Sequence, residues 1–217
     1  MTQAAEPHSD CRLCPRLAAF RQDNRLAFPD FFNAPAPSFG DRMARLLVVG
    51  LAPGLKGANR TGRPFTGDYA GDLLYATLAK FGFANDRFAA RVDDGLELHD
   101  CRITNAVRCV PPQNKPVGAE VAACRPFLRA EIDGLARLEI IVALGGLSHG
   151  AILAALGLRR SGWKFAHGAM HAIAVGDRPI LLADSYHCSR YNTNTGRLTA
   201  AMFEDVFEAV RERLDAA

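Results

Sequence analysis

The chain has 217 residues, a formal net charge of +3, 49% hydrophobic residues and 23% charged residues. A chain of that length builds one well-cored domain, burying about 70% of its unfolded surface, and the composition excludes a disordered chain or a fibre. No apolar stretch reaches the ~20 residues of a membrane-spanning helix, and the weak positive charge permits nucleic-acid binding without arguing for it.

Residues 1–40 read as irregular. Their start, residues 1–6, lacks the basic and apolar parts of a secretory signal, which points to the cytoplasm. Cys11 and Cys14 follow, then a Pro- and Phe-rich stretch over 28–37. This segment is expected to wrap as an arm on a single domain spanning 1–217. Residues 45–50 form a β-branched apolar run ended by glycine and predict a buried strand. A long loop then runs to about Asp68. Leu73, Leu74 and Leu78 recur at helical spacing within 71–81. A second strand is predicted at 102–107, and a helix over 118–137 with Val121, Cys124, Leu128, Ile132 and Leu135 on one face. A third strand, 139–144, stops at Gly145-Gly146 and precedes a helix over 147–156. Residues 171–175 and 180–183 predict further strands. The last segment is amphipathic and helical, with Leu198, Met202, Phe203, Val206, Phe207, Val210 and Leu214 on its apolar stripe.

Strands alternating with helices define an α/β protein. The expected form is a three-layer sandwich with a central, mostly parallel four-stranded sheet flanked by helices. Ligands of such sheets bind beyond the carboxyl ends of the strands. The loops 50–68, 105–117 and 184–195 are therefore expected to meet around one cleft.

The loop 50–68 holds five glycines and two prolines. Its exposed amides suit close approach to a phosphate or a planar ring; the alternative is a long structural turn. It is not a Walker A loop, since no Gly-Lys-Ser/Thr stands at the required place. Arg42, Arg45, Lys56, Arg60 and Arg63 lie around it. In the loop 184–195, His187 directly follows a buried strand and suits acid or electrostatic catalysis; the alternative is a capping histidine. The remaining histidines read as structural or surface residues, with His167 the weaker second candidate. Among six cysteines, Cys11-Arg12-Leu13-Cys14 forms a C-x2-C pair. It reads as half of a metal or cluster chelate, or as a redox dithiol. Cys109 follows a strand and Cys124 lies on the next helix. Four cysteines at irregular spacing suit an iron–sulfur cluster; the alternative is ordinary buried thiols, as Cys101 and Cys188 are read.

Taken together, these segments resemble the uracil-DNA glycosylase superfamily, in particular its iron–sulfur type B branch, family 5. Gly50-Leu51-Ala52-Pro53-Gly54, continuing through Asn59 to Asp68, is similar to that branch's first motif. Thr104-Asn105-Ala106-Val107-Arg108-Cys109-Val110-Pro111-Pro112 resembles the middle motif. Ser185-Tyr186-His187-Cys188-Ser189, with the trailing 192–199, resembles the His-Pro-Ser motif. Cys11, Cys14, Cys109 and Cys124 match the pattern that holds the family's 4Fe-4S cluster. Two positions depart from the pattern: Cys188 stands where proline is usual, and Lys56 where histidine is expected.

The resemblance implies a DNA glycosylase that hydrolyses the N-glycosidic bond of uracil, and of other deaminated bases such as hypoxanthine, after the base is rotated out of the helix. Phe65 would stack on the base, Asn105 would read its edge, and Ala52 and Gly67 would shape the pocket. His187 would stabilise charge developing at uracil O2. Ala52 cannot hold water, so Asp68 is the first choice for that role and Asn59 the second; Asp68 equally suits capping of the next helix. The segment Arg190, Tyr191, Asn192 to Asn194 would enter the minor groove. Arg42, Lys56, Arg60, Arg63 and the backbone near Gly145-Gly146 would meet phosphates. The cluster would be structural, tying the arm to the core far from the scissile bond. The partner is damaged DNA and not a membrane, and the protein is expected to act as a monomer. Two rivals remain at this stage: a family 4-like uracil-DNA glycosylase, against which Leu51 argues because that branch carries an acidic residue there, and a non-catalytic iron–sulfur DNA-binding protein.

Overall fold

The structure is a computed structural model and describes residues 6–216. Residues 1–5, most of the segment read for signal features, lie outside it. The elements in chain order are α1 (Pro15–Ala27), β1 (Phe39–Gly40), β2 (Leu46–Gly50), α2 (Ala58–Thr61), α3 (Tyr69–Lys80), β3 (Cys101–Asn105), α4 (Gly118–Gly134), β4 (Ile140–Leu144), α5 (Gly146–Ala155), β5 (Met170–Val175), β6 (Arg178–Ser185), α6 (Arg190–Asn194) and α7 (Ala200–Asp215).

The sheet has six strands in the order β1-β3-β2-β4-β6-β5. The inner four, β3, β2, β4 and β6, are parallel. Two antiparallel edge strands, β1 and β5, extend the expected four-stranded core. Every residue of β2, β3 and β4 is buried, as strands covered on both faces require. Side chains alternate along β2. Leu46 and Val48 face one core with Leu74 and Leu78 of α3 and Phe203 and Phe207 of α7. Leu47 and Val49 face the other with Leu128 and Ile132 of α4 and Ile152 of α5. These are the three layers. No helix among the described residues is long and apolar enough to cross a membrane.

One sequence expectation is corrected here. The stretch read as irregular contains α1, a 13-residue helix with proline in its first turn. Its buried stripe is Leu17, Arg21 and Asn24. The helical period is present, but two of its three inward positions are polar, so hydropathy does not show it. The arm returns to the domain at Asn33, Ala36 and Ser38 through hydrogen bonds to Asn59, Arg108 and Glu131.

Candidate active site

The parallel register puts Gly50, Asn105, Leu144 and Ser185 at the same edge of the sheet. The segments that leave those ends enclose a cavity of ≈ 500 Å³. Phe65, Asn105 and His187 all line it, with Ala52, Asp68 and Arg190. The loops expected to converge do so.

Each of the three central side chains is set by its surroundings. Phe65 holds φ of 53°, a left-handed conformation uncommon for an aromatic residue, and this turns the ring inward. Its centroid lies 6.0 Å from that of His187, with the planes inclined by 34°. Gly50 makes room for both neighbours: a Cβ there would collide with Asn105 Oδ1 and stand 2.7 Å from Phe65 Cζ. Asn105 is buried, yet its side-chain amide makes no hydrogen bond within the described residues. A buried amide without partners is rare, and here it faces the cavity. The Nδ1 atom of His187 is enclosed and has no partner either. Burial lowers the imidazole pKa to about 4, so the ring is neutral at physiological pH.

The third loop is held from behind. Asn192 Nδ2 donates to the His187 carbonyl at 2.8 Å, and Gly145 N–H donates to the Ser185 carbonyl at 2.8 Å. At the end of β6, buried Asp184 meets His149 Nδ1 at 2.7 Å and His171 Nε2 at 3.1 Å. His149 Nε2 lies 2.9 Å from the Trp163 carbonyl. His149 thus has an oxygen neighbour at each ring nitrogen. His167 stacks on Tyr186 at 4.8 Å and accepts its backbone N–H. Cys188, where proline is usual, is fully buried and donates from Sγ to the Ala70 carbonyl at 3.4 Å. That contact ties His187 to the head of α3.

Asp68 stands at the start of α3 without making a side-chain capping bond. Burial raises its carboxyl pKa, partly offset by the amides of Gly71 and Ala70. Its Oδ1 is enclosed and unpartnered. Asn59, the second choice for water, is turned away: its Nδ2 donates to Asn33 Oδ1 at 2.9 Å, bracing the arm against the first loop. Gly67 does not line the cavity. Its φ of +89° makes the turn between Phe65 and Asp68.

The basic residues divide. Lys56 and Arg190 are exposed, and the Arg190 guanidinium lies 5.1 Å over the Tyr69 ring at the cavity mouth. Tyr191 is 72% exposed, and Asn194 is exposed beside it. Arg63 is buried and clamps Asp94 at 2.7 Å and 2.9 Å, so it is unavailable to a phosphate. Asn192 donates to the His187 carbonyl and so braces that loop. Several cavity residues were not singled out in the sequence reading, among them Tyr69, Leu147 and Asn114. Tyr69 and Leu147 stand on the rim, with Leu147 65% exposed. Asn114 lines the wall with φ of 56°. Asparagine tolerates the left-handed region, and its place after two prolines is the one signal that marked it.

Cys11, Cys14, Cys109 and Cys124 line a second, separate cavity. Cys14 caps the head of α1, Cys109 follows β3, and Cys124 lies on α4. Burial pushes the Cys14 thiol to about 11 and the Cys109 thiol to about 12, and raises Cys124 as well. Four thiol side chains lining one small cavity form a donor set of the kind that holds an iron–sulfur cluster or a zinc ion. Ala52 lines the first cavity and also packs against the apolar cluster of Leu17, Val107, Cys124 and Phe127.

An aromatic face, an unengaged amide and an uncharged imidazole around one hole suit an enzyme that draws in a flat heterocyclic ring and acts on it. The chain belongs to the uracil DNA glycosylase superfamily, whose family model matches residues 37–211. It is 46% identical over 201 residues to a type-5 uracil-DNA glycosylase of Thermus thermophilus, covering 90% of each chain. It is 42% identical over 214 residues to a type-5 uracil-DNA glycosylase of Mycobacterium leprae, covering 94% of this chain and 91% of that one. A type-4 uracil-DNA glycosylase of Sulfurisphaera tokodaii is 31% identical over 185 residues, covering 84% and 76%. The higher identities fall on the type-5 side, as Leu51 argued.

Proposed function

We propose that this chain is a uracil-DNA glycosylase that also removes other deaminated bases, hypoxanthine among them. One observation carries the reading: Asn105 is buried in the cavity wall with both its donor and its acceptor unused among the described residues. A uracil edge, with O4 and N3–H, complements that amide. The base is rotated out of the duplex at a cost of a few kcal/mol. Stacking on Phe65, at about 1–3 kcal/mol per base, offsets part of it.

Bond cleavage leaves negative charge on the base and positive character on the sugar. His187, neutral at working pH, donates a hydrogen bond to the O2 that gains charge. A preorganised donor of this kind contributes about 3–4 kcal/mol to the transition state. Asp68, whose side chain lines the cavity, holds the attacking water. Ala52 supplies no polar atom, so less catalysis comes from water activation. The chemistry then favours bases that leave easily and tolerates a wider range of them. Arg190 and Tyr191 meet the DNA beside the cavity mouth, and Lys56 contacts phosphate.

Cys11, Cys14, Cys109 and Cys124 hold a 4Fe-4S cluster, which cross-links α1 and the arm to β3 and α4 and supplies no step of the hydrolysis. The enzyme acts as a monomer in the cytoplasm. Incubation with a uracil-containing oligonucleotide followed by alkali tests the activity. Strand cleavage at the uracil is expected; an intact strand refutes the reading and leaves a non-catalytic DNA-binding protein.

A further inference from the structure

The buried stripe of α1 carries a charge. Arg21 is 3% exposed, and arginine is almost never so deeply buried unless paired. Its guanidinium makes no ion pair within the described residues. Nη2 donates to the Cys11 carbonyl at 2.7 Å, and Nη1 donates to Cys109 Sγ at 3.4 Å. Nε is enclosed with no partner. Both acceptors are formally neutral when the cysteines are thiols. A cation removed from water with neutral partners costs several kcal/mol.

The missing anion is next to it. Arg21 lines the same cavity as the four cysteines, and its charge opposes the upward push of burial on Cys14 and Cys109. Four cysteinate ligands bring four negative charges, and a metal core cancels only part of them. Residual charge on the sulfurs is what a buried guanidinium needs. Resting on the cluster reading above, we propose that Arg21 is the buried counter-cation of the cysteine-bound cluster: it balances the anionic centre through its bond to Cys109 and so sets both its assembly and its reduction potential. A positive charge beside a cluster favours the more reduced state, because potential follows net charge and hydrogen bonds to sulfur.

The test uses the full chain, purified without oxygen, as wild type, Arg21→Met and Arg21→Lys. Iron and sulfide per chain, midpoint potential, and the half-life of visible absorbance under ferricyanide are measured. Wild type is expected to carry iron and sulfide in equal amounts. Arg21→Met is expected to lose most of both; any loaded fraction should show a more negative potential and bleach several-fold faster. Arg21→Lys, which keeps the charge, is expected to retain at least half the wild-type iron. Arg21→Met with wild-type iron, potential and bleaching half-life overturns the role of Arg21. Should Arg21→Met fail to accumulate, Arg21→Lys decides: a lysine variant without iron shows that packing and not charge matters, and overturns the proposal. Wild-type protein carrying zinc, or no iron, overturns the cluster reading itself before any variant is compared.

Discussion

Asn105→Ala separates recognition from folding. In most buried sites removal of an amide costs stability, because its partners are left unpaired. Asn105 has no such partners among the described residues, and its removal enlarges a cavity that already exists. The variant should therefore melt within about 2 °C of wild type, or above it. The loss appears with substrate. Two neutral hydrogen bonds to the base edge, at about 0.5–1.5 kcal/mol each, total about 1–3 kcal/mol. That corresponds to a fall in kcat/KM of about 5- to 150-fold. Thermal unfolding followed by circular dichroism gives the first quantity, and single-turnover excision from a uracil-containing duplex the second. A melting temperature several degrees lower would show that the amide supports the fold. Unchanged excision would show that the base edge is read elsewhere.

His187→Ala should lower the excision rate by about 10²- to 10³-fold and leave DNA affinity within several-fold, as gel-shift and rate measurements can show; unchanged excision removes His187 from the mechanism. In wild type the His187 imidazole should titrate near pH 4 by NMR. Its folded pKa lies below the ordinary 6.5, so stability from this group is present above pH 6.5 and lost as pH falls toward 4; a midpoint near 6.5 contradicts the enclosure. Asp68→Asn should raise the melting temperature, since burial disfavours the carboxylate, while lowering excision; a rate that survives the substitution assigns the water to another group. Arg190→Ala should reduce the salt slope of DNA binding by about one unit. Arg63→Ala should leave that slope unchanged and cost about 3–5 kcal/mol of stability by abandoning buried Asp94, and a changed slope would restore Arg63 to the DNA interface.

The central sheet was legible because β2 and β4 are short, wholly buried apolar runs, and the strand ends they define placed the cleft. His187 was marked by its place just beyond a strand end, whereas Phe65 and Asn105 were marked only by the resemblance of their segments to the family's motifs. The remainder depended on partners far away in sequence. Arg63 and Asn59 sit in the right loop, but which way a loop side chain turns is decided by Asp94, 31 residues on, and by Asn33, 26 residues back. Spacing contains neither fact. The helix α1 was hidden for a related reason: its inward face is polar because a guanidinium stands where an aliphatic side chain is usual.

Ala52 is a party wall one methyl thick. On one side is the chamber for the base, and on the other the packed lining of the cysteine centre. The backbone beside it is pinned, since Val107 N–H donates to the Leu51 carbonyl at 2.8 Å. A longer side chain at this position has no slack behind it and must project into the chamber. The room left for a guest ring is thus limited from outside, by how tightly a neighbouring compartment is filled.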